Sequence, residues 1–464
     1  MMATEMRSDR TQYSLIITRR KASEILLSAQ HLRWSLPQVE VPDGVRVTGQ
    51  LLSRIKREYH LDTYCLWSKS MPPSPEVCCR NKYAVLEALH QNDETHPATM
   101  WISSARAASE TAFAPVDRAA ISSSLEDLDR YIAEPGKGPF AKPGWIQELF
   151  CWVRDQIEPF GLHTTGKFEQ LNASATFSLV RIETTGGAVW FKATGEPNVQ
   201  ELPISVALHR LFPNYVPRIL GVHPSWNGWL SEEVQGQKPD AADARAWAEV
   251  AKALAELQIA SASHTDTLVE SGCKDMRAEQ LAGQIDPFLV RVNELMAVQT
   301  SNPPQILTES ELQFLGDCLR GAFYETQRNR IPWTLAHLDF NPGNIVVSPT
   351  RCCFLDWAEG CVAHPFLTFE YLREHARRLL PRPLTEKLVA AYLGPWQSLF
   401  SAESLALAMS NSPLLAVFAC AVNVNLRWPH VLCNPASAGY LRSLARRAYR
   451  EATKLATRSN RCLA

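Results

Sequence analysis

With 464 residues, 46% of them hydrophobic and 20% charged, the chain has the composition of an ordinary folded protein and the length for two or three domains. A formal net charge of −1 excludes bulk attraction to nucleic acid or to a membrane surface, and the basic cluster Arg442 to Arg450 reads as a solvated helix face. The 12 cysteines include two vicinal pairs, Cys78-Cys79 and Cys352-Cys353, but no C-x-x-C spacing; with no signal-peptide core and no apolar run of membrane-spanning length, they point to free thiols in a reducing, cytoplasmic setting.

In chain order, Tyr13 to Ile17 and Glu24 to Leu27 are two apolar runs around Arg19-Arg20-Lys21, the pattern of an opening β-hairpin. Trp34-Ser35-Leu36-Pro37 leads into a short polar, glycine-containing segment, then a helical stretch from Gln50 to His60. A further apolar run spans Lys82 to Leu89, followed by Met100-Trp101-Ile102 and a helix carrying Leu125 and Leu128. This order fits a mixed α/β unit. The Trp-x-Leu-Pro step before a helix and the late Met-Trp-Ile strand resemble the Nudix hydrolase fold over roughly residues 10 to 135. That family holds magnesium at a pyrophosphate with several glutamates on one helix. Here only Arg54 and Glu58 fit the pattern, while Lys56 and Arg57 stand where they would repel the ion. The resemblance therefore implies a Nudix-like domain, residues 1–140, without hydrolase activity.

Glu134-Pro135-Gly136-Lys137-Gly138-Pro139 and then Pro143-Gly144 are the strongest punctuation in the chain, and a domain boundary is placed there. Trp145 to Ile157 is amphipathic. Residues 166–193 read as three antiparallel strands, with a small-residue loop at Asn172–Thr176 that includes Ser174 and a third strand ending in Lys192. Glu201, just ahead of an apolar-periodic helix with Pro203 in its first turn, and Glu196 are alternative partners for that lysine. Gly228 to Gly236 reads as a strand and a glycine-marked crossover through Glu233 and Val234.

From Asp243 the pattern becomes helical: Trp247, Val250, Ala251, Leu254 and Leu257 share one face. Further periodic stretches run over Met276–Met296, Glu309–Asn329, Phe366–Leu379, Leu384–Tyr392, Ala402–Met409, Leu414–Leu426 and Ala436–Leu455. Between them lies Ala336 to Trp357. Its pattern is loop, strand Ile345-Val346-Val347, Ser-Pro-Thr turn, and a second strand ending in Asp356-Trp357. Two carboxylates and an amide thus come to one end of a hairpin. The spacing His337-x-Asp339-x-x-x-x-Asn344 followed by a strand-borne aspartate matches the kinase catalytic loop. Phosphoryl transfer needs such a set: one carboxylate to orient the attacking hydroxyl, an amide and a second carboxylate to hold the metal. Each residue alone also fits a plain role as cap or turn former; their common register favours a site.

His337-x-Asp339, Asn341-Pro342-Gly343-Asn344-Ile345 and Asp356-Trp357 make residues from about 160 to the C-terminus resemble the aminoglycoside phosphotransferase and choline kinase group of small-molecule kinases. The Pro-Gly before Asn344 and the Asp-Trp favour this group over protein kinases; Leu338 replaces its usual glycine. The resemblance implies an α+β, two-lobed protein-kinase-like fold, with a strand-rich N-lobe at 145–235 and a helical C-lobe at 236–464, preceded by the mixed α/β Nudix-like domain. It implies Asp339 as catalytic base, Asn344 and Asp356 as magnesium ligands, and Lys192 with Glu201 at the phosphates. Ser174 would lie in the loop covering them, and Glu233 and Val234 at the adenine-binding hinge. The expectation is an ATP- and Mg2+-dependent phosphotransferase acting on a hydroxyl of a small molecule, with no nucleic-acid or membrane partner. The alternative is a nucleotide-binding regulatory pseudokinase with a Nudix-like ligand-sensing domain. Glu359, His364 and Glu370, just past Asp356, are candidates to face substrate, although His364-Pro365-Phe366 reads equally well as a helix entry.

Overall fold

The computed structural model describes residues 10–30, 33–42, 45–70, 82–89, 97–109, 113–240, 243–427 and 435–463; the Cys78-Cys79 pair lies outside them. The chain divides into two compact units, one formed by Met1–Leu202 with Arg218–Glu233 and the other by Pro203–Pro217 with Val234–Ala464.

The first unit opens with β1 (Arg10–Arg19), β2 (Glu24–Gln30), β3 (Arg33–Ser35), β4 (Gln38–Pro42), β5 (Thr63–Ser70), β6 (Lys82–Ala88) and β7 (Thr99–Ser103). They form one mixed sheet in the order β3-β2-β1-β6-β5, with β4 also pairing to β1 and β7 to β2. The expected β1–β2 hairpin is present. The segment after Pro37, read as a short polar, glycine-containing segment, opens with strand β4. Val39 and Val41 alternate inward, and Tyr13 pairs with Val39. Strand β5 was not visible in the sequence pattern. Period-two alternation divides the apolar residues between two faces. Leu15 and Ile17 pack with Leu51 and Ile55 of helix Val47–Tyr59 on one face, while Ile16 joins Ile121 and Leu128 of helix Pro115–Ala133 on the other.

A second, antiparallel sheet comes next in the chain: β8 (Thr164–Ala173), β9 (Ser178–Thr184), β10 (Gly187–Ala193), β11 (Ile219–Val222) and β12 (Gly228–Glu232), in the order β11-β12-β10-β9-β8. The predicted three strands are the first three of these. Helix Trp145–Ile157 joins the two sheets. Its entry residue Gly144 has φ 87°, and its N–H donates to Glu87 Oε2 at 2.7 Å and to Tyr64 Oη at 2.8 Å. Burial raises the Glu87 carboxyl above its ordinary range. Trp145, Leu149 and Val153 share one apolar cluster with Tyr64 and Tyr83 of the first sheet and with Phe191 and Leu230 of the second.

The second unit is mainly helical, built around short strands: β13 (Lys274–Asp275), β14 (Thr334–His337), β15 (Ile345–Val347), β16 (Cys352–Phe354) and β17 (Gly360–Ala363). β13, β17 and β14 form one small sheet and β15–β16 a hairpin, as the sequence predicts for the stretch after Asn344. Gly236 lies so close to the Val347 carbonyl that a Cβ there would collide with it, and next to it Gln237 and Val347 exchange backbone hydrogen bonds. This is why the crossover carries glycine.

Two helical expectations change. Met276–Met296 is divided by Gly283 and Gln284 into Ala278–Ala282 and Ile285–Ala297. Conversely, Ala402–Met409 and Leu414–Leu426 belong to one helix, Ala402–Arg427, which runs through Pro413. A proline removes the N–H that would bond the carbonyl four residues back; here that carbonyl, on Met409, accepts from Ser412 Oγ at 3.2 Å. Among the described residues this helix is also the one segment long and apolar enough on average to cross a membrane, although Glu403 and Ser410-Asn411-Ser412 interrupt its apolar run. Ala402–Val424 has mean hydropathy 1.8, but 67% of its most apolar window is buried in the protein, with Leu414, Phe418 and Val422 in the core. An all-round apolar helix is what a core position requires.

Candidate active site

The catalytic-loop residues occupy the turn between β14 and β15 and the end of β16. His337 closes β14, completely buried; its backbone N–H donates to Thr368 Oγ1 at 2.8 Å. Its ring bridges two strands of chain: Nδ1 accepts from Asp339 N–H at 3.1 Å and Nε2 donates to the Leu355 carbonyl at 3.0 Å. Burial holds the imidazole below its ordinary pKa, which fits this neutral tautomer. Leu338 is buried in the helical core beside Ala336 and Cys361. Replacing the family's usual glycine, it packs rather than reacts.

Asp339 is gripped by two amides. Asn341 Nδ2 donates to Oδ1 at 3.0 Å, and Asn344 Nδ2 reaches Oδ2 at 3.3 Å and the Asp339 carbonyl at 3.0 Å. Asn341 Oδ1 in turn accepts from Gly343 N–H at 2.8 Å, so the Pro-Gly turn is fastened to the same side chain. Leu355 N–H donates to the Asn344 carbonyl at 2.8 Å. Leu355 is therefore pinned from both sides, by His337 and by Asn344, and it fixes the next residue. That residue, Asp356, has φ 62° and ψ 61°, a left-handed conformation uncommon for non-glycine residues and best tolerated by aspartate and asparagine. The turn thus brings Asp339, Asn344 and Asp356 into one bonded network.

The nucleotide-side candidates belong to the first unit, except Val234, which is in the second. Phe191 and Ala193 point into the core, and Lys192 faces the other side of β10. Its ammonium pairs with the Glu201 carboxylate, and Glu201, 2% exposed, opens helix Glu201–Leu211. Of the two glutamates the sequence left open, this is the one in contact. Ser174 closes a tight turn: its N–H donates to the Phe177 carbonyl at 2.9 Å and its Oγ accepts from Phe177 N–H at 3.0 Å. The Glu233 carboxylate receives Arg181 Nε at 2.6 Å, Arg181 Nη2 at 2.9 Å and Trp190 Nε1 at 3.1 Å, while its N–H donates to the Ala188 carbonyl at 3.2 Å. Its side chain and amide are both engaged within the sheet. Val234 comes next, past the end of β12, half-buried.

The residues beyond Asp356 separate by environment. His364 is buried and accepts from Phe366 N–H at 3.4 Å as the cap of helix Pro365–Leu379; burial lowers its pKa to about 3. Glu370 is buried against Arg373 and lies 3.3 Å from Arg377. Both are structural. Glu359 is half-buried, accepting from Asn423 Nδ2 at 2.5 Å and lying 3.9 Å from Lys274 Nζ. Thr368 and Leu355 escaped the sequence reading, Leu355 because it acts through its backbone groups and Thr368 because its hydroxyl serves a backbone N–H far away in sequence, while Asn341 was read only as part of the Asn-Pro-Gly-Asn run. Among the described residues no group of three or more His, Cys, Asp or Glu is gathered for a metal. The Asn344–Asp356 pair is a different donor set, one amide and one carboxylate. Asn344 turns its nitrogen onto Asp339, so Oδ1 is the atom it can offer a cation, and hard oxygen donors suit magnesium.

No curated protein sequence matches the chain. Among solved structures, a macrolide 2'-phosphotransferase, MphH from Brachybacterium faecium, aligns at 14% identity and TM-score 0.45, over 63% of this chain and 97% of its own. A choline kinase from Cryptosporidium parvum Iowa II aligns at 10% identity and TM-score 0.46, over 68% and 96%. An ethanolamine kinase from Plasmodium vivax aligns at 16% and 0.43, over 65% and 86%. A family model, the phosphotransferase enzyme family APH, matches residues 200–400, the span that holds Asp339, Asn344 and Asp356.

Proposed function

We propose that the protein is an ATP- and magnesium-dependent phosphotransferase acting on a hydroxyl of a small molecule. In this reading residues 145–235 and 236–464 are the two kinase lobes, and 1–140 is a Nudix-like domain without hydrolase activity. The observation that carries the reading is the grip of Asn341 and Asn344 on Asp339, one amide on each carboxylate oxygen. A carboxylate so oriented keeps a second lone pair on each oxygen for an incoming hydroxyl, whose proton it takes as the phosphoryl group is transferred. Asn344 Oδ1 and the Asp356 carboxylate would hold magnesium, which neutralises phosphate charge when bound. Lys192, positioned by Glu201, would contact the phosphates, the Ser174 loop would cover them, and the Glu233–Val234 segment would meet the adenine. The pseudokinase alternative is less favoured, because Asp339, Asn344 and Asp356 are all present and held in one network.

The test is acceptor-dependent ADP release from Mg-ATP by the full chain across a library of hydroxylated small molecules. Asp339→Ala is expected to lower turnover by about a thousandfold while ATP affinity stays within about threefold. Wild-type turnover by that variant would overturn the assignment.

A further inference from the structure

Strands β5 and β8 are the outer strands of the first unit's two sheets, and each therefore has an edge of backbone groups to satisfy. They are joined by one side chain. Cys65 N–H of β5 donates to Gln170 Oε1 at 2.8 Å, and Gln170 Nε2 donates to the Cys65 carbonyl at 2.9 Å. A carboxamide carries the same donor and acceptor as a peptide group, so Gln170, 1% exposed, serves as a ladder rung between the sheets. Both strands are irregular at this point: the β5 register shifts between Cys65 and Trp67, and that of β8 between Gln170 and Asn172. Such bulges re-aim the next stretch of chain.

The loop Asn172–Thr176 begins two residues after Gln170. Ala173 packs against the core beneath helix Val47–Tyr59. That helix passes over β8 so closely that a Cβ on Gly49 would stand 3.8 Å from the Gln170 carbonyl oxygen. At the tip, the Ala175 carbonyl accepts from Phe140 N–H of the linker at 3.1 Å. The loop's base, entry and tip are thus each held by residues that precede the kinase-like region. It lacks the paired glycines that would let a phosphate loop close freely around its ligand, so its shape must be set in advance.

We propose that the N-terminal region is a positioning element for the nucleotide loop, acting through Gln170 and the Phe140 N–H. The inference rests on the kinase reading of that loop. Residues 10–140 need no chemistry of their own in this role. They supply a fixed edge on which β8 and its loop are ordered before ATP arrives, and Gln170 is a positioning residue, not a catalytic one.

The experiment uses the full chain with Mg-ATP and a fluorescent ATP analogue, together with hydrogen exchange over residues 171–177. Gln170→Leu keeps the bulk and removes both bonds to Cys65. The expected result is faster exchange in the loop and an ATP dissociation constant raised by about tenfold, with turnover at saturating ATP nearly retained. Gly49→Leu, which wedges the helix from the Gln170 backbone of β8 while leaving the Gln170 side chain in place, is expected to shift both readouts the same way, and it decides the matter if Gln170→Leu does not fold. Gly49→Ala, at ordinary contact distance, is expected to leave them unchanged. ATP binding by the wild type with unaltered affinity and loop protection in Gln170→Leu or Gly49→Leu would overturn the positioning role. Absence of ATP binding by the wild type would instead overturn the kinase reading, and the positioning role with it.

Discussion

Asn341 holds no catalytic atom in the proposed reaction, but it sets the direction of the one that acts. Its amide nitrogen reaches Asp339 Oδ1, and its amide oxygen fastens Gly343. Asn341→Ala frees one carboxylate oxygen without altering the proposed magnesium ligands. Turnover is expected to fall by about tenfold, with ATP affinity within about twofold, measured by steady-state kinetics and ligand titration. Loss of ATP affinity equal to the loss of turnover would show that the side chain mainly holds up the loop. His337 illustrates a different relation between residue and role. The sequence placed it in the catalytic-loop spacing, and its two ring nitrogens shape that loop by tying Asp339 to Leu355. No sequence signal marks Leu355, because its part is played by its carbonyl and N–H, which every residue possesses.

At the scale of elements, periodic segments were legible and their interruptions were not. The hairpin β15–β16, the three strands from β8 to β10 and the helix opening at Glu201 follow directly from alternation and turn residues. Strand β5 was missed because its first five residues, Thr63–Trp67, are all buried and show no apolar–polar alternation, and the joining of helix Ala402–Arg427 across Pro413 because proline normally ends a helix. The compensation is local: Ser412 Oγ takes the carbonyl that Pro413 leaves. Ser412→Ala is expected to destabilise the protein by about 1 kcal/mol by chemical denaturation, since a partly buried carbonyl loses its donor. In a Pro413→Ala background, where the backbone N–H is restored, the same change should cost clearly less; equal costs in the two backgrounds would sink this account.

For the whole molecule, stability should depend on pH through its buried and half-buried histidines. Burial holds His337, His364, His223 and His375 below the ordinary histidine value, so below about pH 6.5 the unfolded chain binds protons that the native chain refuses. Their contribution is intact above that pH and is lost as pH falls toward the native pKa, which for His364 is about 3. His364 alone should account for about 2 kcal/mol between pH 7.5 and 5. His364→Asn, which retains a cap for Phe366 N–H, is expected to flatten the pH dependence of the denaturation midpoint by that amount; an unchanged slope would exclude His364 as a source. The carboxyl of Glu87, raised by burial, works in the opposite direction at lower pH, so the comparison between variant and wild type is the informative one.

The Pro-Gly stretch at 134–144 is the plainest boundary in the sequence, and it is one of connection rather than packing. Trp145, Leu149 and Val153 lie in the same apolar cluster as Tyr64 and Phe191, and Gln170 completes the ladder at Cys65. A protease that nicked the exposed Lys137 would therefore sever the chain without parting its pieces. Each fragment would keep the other's apolar face covered, and the break would be seen only once the protein was denatured.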